Sequence, residues 1–160
     1  MKENVFQFLL LFSLLGNGLS AGVYFIFSNT IMAALKNLKP HEGVSAMRQI
    51  NRVILNGLFF LIFFGTALSS LALIILLFVW RWPHQGSHYI FLGSSCYLLG
   101  CFLVTIIFNV PRNEALDAAD PTSPDAQNFW SRYLIEWTAW NHVRTVACVL
   151  ATTFFFLYLS

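Results

Sequence analysis

Charge is the scarcest ingredient of this sequence. Nine basic and seven acidic residues make up 10% of 160 positions, against ~25% in ordinary soluble domains, while 58% of the chain is apolar. So little polar surface cannot coat a water-soluble globule this small. A net charge of +2 likewise gives no footprint for nucleic-acid phosphate, and the apolar content excludes disorder and collagen. Cysteine is sparse too. Cys96, Cys101 and Cys148 are odd in number, lie in apolar runs and include no C-x-x-C, which argues against a disulfide framework and thiol relay chemistry. The four histidines, His41, His84, His88 and His142, are too few for a histidine-rich di-iron oxygenase. Only His142 borders an apolar run, so paired axial haem ligands inside a bundle are excluded as well. Walker, Rossmann and G-x-S-x-G patterns are absent.

What the sequence has is long apolar runs. A helix needs ~20 apolar residues to cross the hydrocarbon core. Four stretches reach or approach that length: Val5 to Leu35, Leu58 to Trp80, Tyr89 to Phe108, and Val143 to Leu159, the last led in by a helix-compatible stretch from about Asn128. The expectation is an all-α, single-domain bundle of four transmembrane helices, with the lipid bilayer as its surroundings. The first run could pass for a signal peptide, but it continues well beyond the small residues at Ser20 to Gly22, so it is expected to be retained.

Four antiparallel crossings place the two long connections, 36–57 and 109–142, on one membrane face, and both are expected to carry helix. Most polar chemistry collects there, and helical spacing sharpens the convergence. Trp130, Tyr133, Trp137, Asn141, Arg144 and Cys148 recur every three or four residues and stay within an arc of about 60°. Asn17, Ala21, Tyr24 and Ser28 form a similar stripe on the first run, and Cys101, Thr105, Asn109 and Arg112 on the third. If the stretch from His41 is helical, Arg48, Asn51, Arg52 and Asn56 face the same way. A short internal echo, FSNTIMAAL at 27–35 and FNVPRNEAL at 108–116, is what a duplicated helix pair would leave. After each copy comes an Asn then an Arg: Asn51 and Arg52, Asn141 and Arg144.

An ionisable group at membrane depth costs ~2.5 kcal/mol or more unless paired or wetted. One arginine near a boundary is read as a snorkelling side chain. Four of them, Arg48, Arg52, Arg112 and Arg144, arriving with several asparagines and a histidine, are read as a site. His142 is either an acid or base of that site or a ring donating to a loop carbonyl at the helix start. Trp137 shares the polar stripe and suits a flat pocket, whereas Trp140 suits the interfacial aromatic belt. Gly18 and Gly22, with Gly65 and Ser69, make small-residue faces for close helix packing first and homo-oligomer contact second. His84 and His88 lack a carboxylate neighbour and are a weak metal signal, so no metal site is expected. The 117–127 connection DAADPTSPDAQ reads as a surface loop over the site, with Pro121 and Pro124 ending one helix and Asp125 capping the next.

The blocks GVYFIFSNTIMAAL (22–35), EGVSAMRQINRVILN (42–56), FNVPRNEAL (108–116) and W-x-x-Y-x-x-x-W-T-A-W-N-H-V-R-T-V-A (130–147) resemble the anthrone oxygenase-like family of small integral membrane proteins, domain of unknown function 1772. The likeness covers about residues 14–150. It implies conversion of an anthrone, a flat, lipophilic, phenolic carbon acid, to an anthraquinone with molecular oxygen as co-substrate and no metal or flavin cofactor. On that basis His142 is expected to accept the proton, and Arg52 and Arg144 to stabilise the resulting anion. Asn51, Asn109 and Asn141 are expected to orient it, and Tyr24 and Trp137 to hold the rings. Asn29, Arg112, Asn113 and Tyr133 complete the expected substrate contacts. The alternative is a non-catalytic membrane protein binding a quinone, lipid or other anionic amphiphile in the same cavity. A purely structural bundle leaves the arginines unexplained. Seven basic residues on the connection side against Lys2 and Arg81 on the other place the connections in the cytoplasm of a bacterial inner (plasma) membrane protein.

Overall fold

The computed structural model describes residues 2–79, 85–120, 123 and 125–160. Among these residues there is helix and no strand. Four helical rods are long and apolar enough to cross a membrane: Glu3–Lys36, Gly57–Val79, Ser87–Ala118 and Ala126–Leu159. The chain is thus an all-α integral membrane protein. The first rod comprises α1 (Lys2–Ile26), a π-helical turn (Phe27–Ile31) and α2 (Met32–Lys36). An amphipathic helix, α3 (Pro40–Ile54), precedes the second rod, α4 (Gly57–Val79). The third rod runs from α5 (Ser87–Ser95) through two π segments (Cys96–Leu103 and Thr105–Asn109) into α6 (Val110–Ala118). The fourth is α7 (Ala126–Leu159).

The rods overrun the apolar spans on the side of the long connections. In hydrocarbon a backbone N–H or C=O has no partner but the helix itself, so helix continues wherever the chain can support it. Even Pro111 does not stop the third rod: it follows directly on the π segment Thr105–Asn109, and helix continues past it to Ala118. Pro121 and Pro124, expected to end that helix, lie outside the described residues, as do Trp80, Arg81 and His84. Asp125 stands at the start of α7, but its side chain makes no capping hydrogen bond; its backbone carbonyl accepts from Phe129 N–H at 3.0 Å.

The rods close into a ring in the order α1, α4, third rod, α7. Between lipid-bathed helices there is no hydrophobic driving force, so close approach and hydrogen bonds supply the adhesion. Ser13 and Ser69 hydroxyls meet at 2.7 Å, and Tyr97 OH donates to Phe63 O at 2.8 Å. Gly16 lies so close to Thr66 that a methyl group there would collide with the threonine hydroxyl, and Gly100 admits Ala147 in the same way. The packing expected of Gly18 and Gly22 does not occur, since both face outward with open space around them.

α3 forms a roof. Glu42 accepts the Lys39 backbone N–H at 3.1 Å and fixes its start. Val44 and Met47 bury against Leu116 and the α7 aromatics, and Gly43 lets the Trp130 ring lie directly on the backbone. Arg48 donates to Leu116 O at 2.9 and 2.7 Å, and also to Ala119 O, tying α3 to the end of α6. Asn56 caps α4, its side-chain oxygen accepting Phe59 N–H at 3.1 Å.

Candidate functional site: a buried arginine beside a membrane-level cavity

The helical period of α7 decides where its side chains go. Trp130, Tyr133, Trp137, Asn141, Arg144 and Cys148 are all buried along one stripe. Arg144 is only 5% exposed. Its Nη2 donates to Asn141 Oδ1 at 2.7 Å and its Nη1 to Thr105 Oγ1 at 3.3 Å, while Nε has no partner. The guanidinium carbon lies 4.3 Å from the Tyr24 ring centroid and 5.1 Å from that of Trp137. Among the described residues no carboxylate pairs with this cation. Its positive charge is held by aromatic faces and neutral acceptors alone, which stabilises it without cancelling it.

Asn141 is the hub that keeps the guanidinium in place. Its amide nitrogen donates to Tyr24 O and to Ser28 Oγ, both at 2.7 Å, so one residue links α7, the first rod and Arg144. Both rods facing the nest carry a π turn at this level, Phe27–Ile31 and Thr105–Asn109, and π-bulges recur at functional sites. Asn113 accepts from Tyr133 OH at 2.9 Å and from Trp137 Nε1 at 2.8 Å, fixing the aromatic ladder beside Arg144. Asn109 donates to Trp137 O at 3.3 Å and leaves its own side-chain oxygen unpartnered.

A cavity of about 590 Å³ opens next to this nest, between α4 and the third rod and beneath α3. Arg144, Trp137, Thr105, Asn109 and Asn113 form its head, Phe59, Phe60, Phe63, Phe64 and Ile106 its apolar walls, and Arg48, Asn51, Arg52, Glu114 and Asp117 its polar rim. Phe63 stacks on Phe102 with ring centroids 5.1 Å apart, which braces the floor. Volume and composition suit a flat, mostly apolar ligand with one polar edge.

Of the residues expected from sequence, Arg144, Asn51, Asn109, Asn113, Trp137 and Arg52 line this cavity, and Asn141, Tyr24 and Tyr133 pack behind it. Arg52 stands at the outer rim, exposed and paired with Asp117 at 2.9 Å. Arg112 is outside the cavity, paired with Glu136 at 2.9 Å and donating to Phe108 O at 2.8 Å. Asn29 is exposed and donates to the neighbouring Thr30 hydroxyl. His142 is exposed and turns away from Arg144, lining two other surface hollows, so the general-base role expected for it finds no support in the geometry. The echo does not yield equivalent sites either: its asparagines and arginines fall at different offsets in the two copies, and Asn109 and Arg144 are buried while Asn29 and Arg52 are exposed. Sequence reasoning missed the phenylalanine wall, although the pairs at 59–60 and 63–64, four apart on α4, are a readable aromatic face.

Residues 59–154 match the family model described as anthrone oxygenase. The chain belongs to this family. The match takes in α4, the third rod and α7, which supply the cavity walls and Arg144, and leaves out α1 and α3, where two of the resembling blocks lie. No curated protein and no solved structure matches the chain.

Proposed function

We propose that this membrane oxygenase-family protein oxidises a lipophilic phenolic carbon acid of the anthrone type with molecular oxygen. The observation that carries the reading is Arg144: a buried cation without a counter-ion among the described residues, at the head of an aromatic cavity of a size to take a three-ring ligand. A ligand oxygen that gains negative charge by conjugation as the benzylic C–H across the ring loses its proton would be stabilised by that guanidinium and oriented by Asn109 and Asn113, with the ligand rings stacked beside Trp137. The electron-rich anion then reduces oxygen and captures it as a hydroperoxide. Loss of water leaves the ketone, so that R₂CH₂ and O₂ become R₂C=O and H₂O with no other reductant. Glu114 lines the cavity and has no ion pair among the described residues, which makes it the carboxylate best placed to take up the proton.

Oxygen uptake by the purified protein with 1,8-dihydroxyanthrone tests the proposal. Arg144→Met is expected to lower turnover by about 10²–10³, the usual loss for one oxyanion donor. Uptake no faster than that of anthrone in empty lipid overturns it. The second reading, a binding protein for a quinone or anionic amphiphile, is favoured by the same uncancelled charge and predicts ligand retention without oxygen uptake. With seven of the nine basic residues on the connection side, the cavity rim is assigned to the cytoplasm. A reporter fused to the C-terminus should accordingly be read on the opposite side.

A further inference from the structure

The cavity has two borders, and they differ in kind. Toward water it lies under α3, and α3 is strapped to α6 twice: Arg48 binds the carbonyls of Leu116 and Ala119, and Arg52 binds the Asp117 carboxylate at 2.9 Å. Toward the bilayer the border is the gap between α4 and the third rod. The residues on its two lips, Phe60 and Phe64 on one and Ile106 and Val110 on the other, belong to spanning rods and are between 39% and 46% exposed. They line the cavity and the outer surface at once. Apolar side chains in that position meet acyl chains, not water.

We infer that the ligand reaches Arg144 sideways from the hydrocarbon phase through this gap, and that its class is a bilayer-dissolved aromatic amphiphile carrying a single anionic oxygen. The inference rests on the reading of Arg144 as an anion holder. Charge and shape complement that class: an uncancelled guanidinium at the inner end, phenylalanine faces along the path, and a lipid-facing mouth that tolerates an apolar tail left outside. A polar metabolite would have to shed its hydration in lipid to use the same route, at a cost of several kcal/mol per unsatisfied group. Selection by partitioning therefore precedes selection by contact.

A gate differs from a binding contact in kinetics. Narrowing the gap slows association and dissociation alike and leaves Kd unchanged, whereas loss of a contact raises Kd. The test uses the full chain in phosphatidylcholine nanodiscs, with 1,8-dihydroxyanthraquinone followed by quenching of tryptophan fluorescence in stopped flow. Val110→Phe is expected to slow association and dissociation about tenfold with Kd within twofold of wild type, and Val110→Ala to speed both. Asp117→Ala, which releases one of the roof's two straps, is expected to leave both rates within twofold. Faster association in Asp117→Ala together with unchanged rates in Val110→Phe would overturn lateral access, as would failure of the wild-type protein to bind the probe. Oxygen uptake plays no part in the measurement, so gated binding without turnover would remove the oxygenase reading and leave the route standing.

Discussion

Asn141→Asp isolates the charge on Arg144 from the shape around it. The substitution keeps the side-chain length and puts a carboxylate oxygen where Asn141 Oδ1 now accepts from Arg144 Nη2 at 2.7 Å. The cation would then carry an internal counter-ion. A ligand oxyanion resting on the same guanidinium would lie roughly 6 Å from the new carboxylate, and at an effective dielectric of ~20 the repulsion is about 2.8 kcal/mol. That corresponds to about a hundredfold weaker binding. The fold should survive. The carboxylate can no longer donate to Tyr24 O, a loss of about 1 kcal/mol, but Ser28 can donate to it instead and the ion pair offsets the rest. Titration of 1,8-dihydroxyanthraquinone, above the pH at which its phenol ionises, should show the hundredfold rise in Kd beside an unfolding free energy within about 2 kcal/mol of wild type. A folded variant that binds the anion within threefold of wild type would refute the argument that an uncancelled charge defines the site. The contrasting variant, Asn141→Leu, deletes all three hydrogen bonds of the hub and is expected to cost about 2–4 kcal/mol of stability, read by thermal unfolding in detergent.

Other perturbations test the surrounding frame. Asn113→Leu removes the acceptor shared by Tyr133 OH and Trp137 Nε1 and should lower stability by about 2 kcal/mol, seen as a drop in thermal midpoint and a broadened tryptophan emission. Gly16→Ala should destabilise the α1–α4 contact by about 1–3 kcal/mol, and Thr66→Ala in the same chain should restore most of it, because the hydroxyl is the atom in the way. An unchanged double mutant would show that the contact yields by backbone shift instead. His142→Ala should leave oxygen uptake within about threefold of wild type, since the ring faces away from the cavity; a loss of a hundredfold or more would return the histidine to the chemistry.

The legible part of the site is the part governed by helical arithmetic. The α7 stripe and its burial follow from spacing alone, and Arg144 was visible on it. The same arithmetic works against His142. At 100° per residue it lies about 100° from Asn141 and about 200° from Arg144, so adjacency in sequence is separation in space. Burial of Arg144 but exposure of Arg52 was not legible, because the difference lies in how far α3 sits from the ring of rods. The continuation past Phe108 to Ala118 was legible in the stripe from Cys101 to Arg112, which runs through Pro111, and in Pro121 and Pro124 as the expected stop. The cavity depends on the gap between α4 and the third rod, which no local pattern encodes.

The π turns carry a consequence for how this site can vary. A regular helix tolerates side-chain substitution, but its facing depends on residue count. A π turn holds one residue more than an α-turn over the same arc, so deleting one residue from Phe27–Ile31 would let that stretch relax into an ordinary α-turn while Met32 and Leu35 keep their places in the aromatic ladder. Deleting one residue from the regular helix before it would instead swing everything beyond by about 100° and draw it in by about 1.5 Å. Single-codon deletions should therefore be borne better within these five positions than in the helix that precedes them.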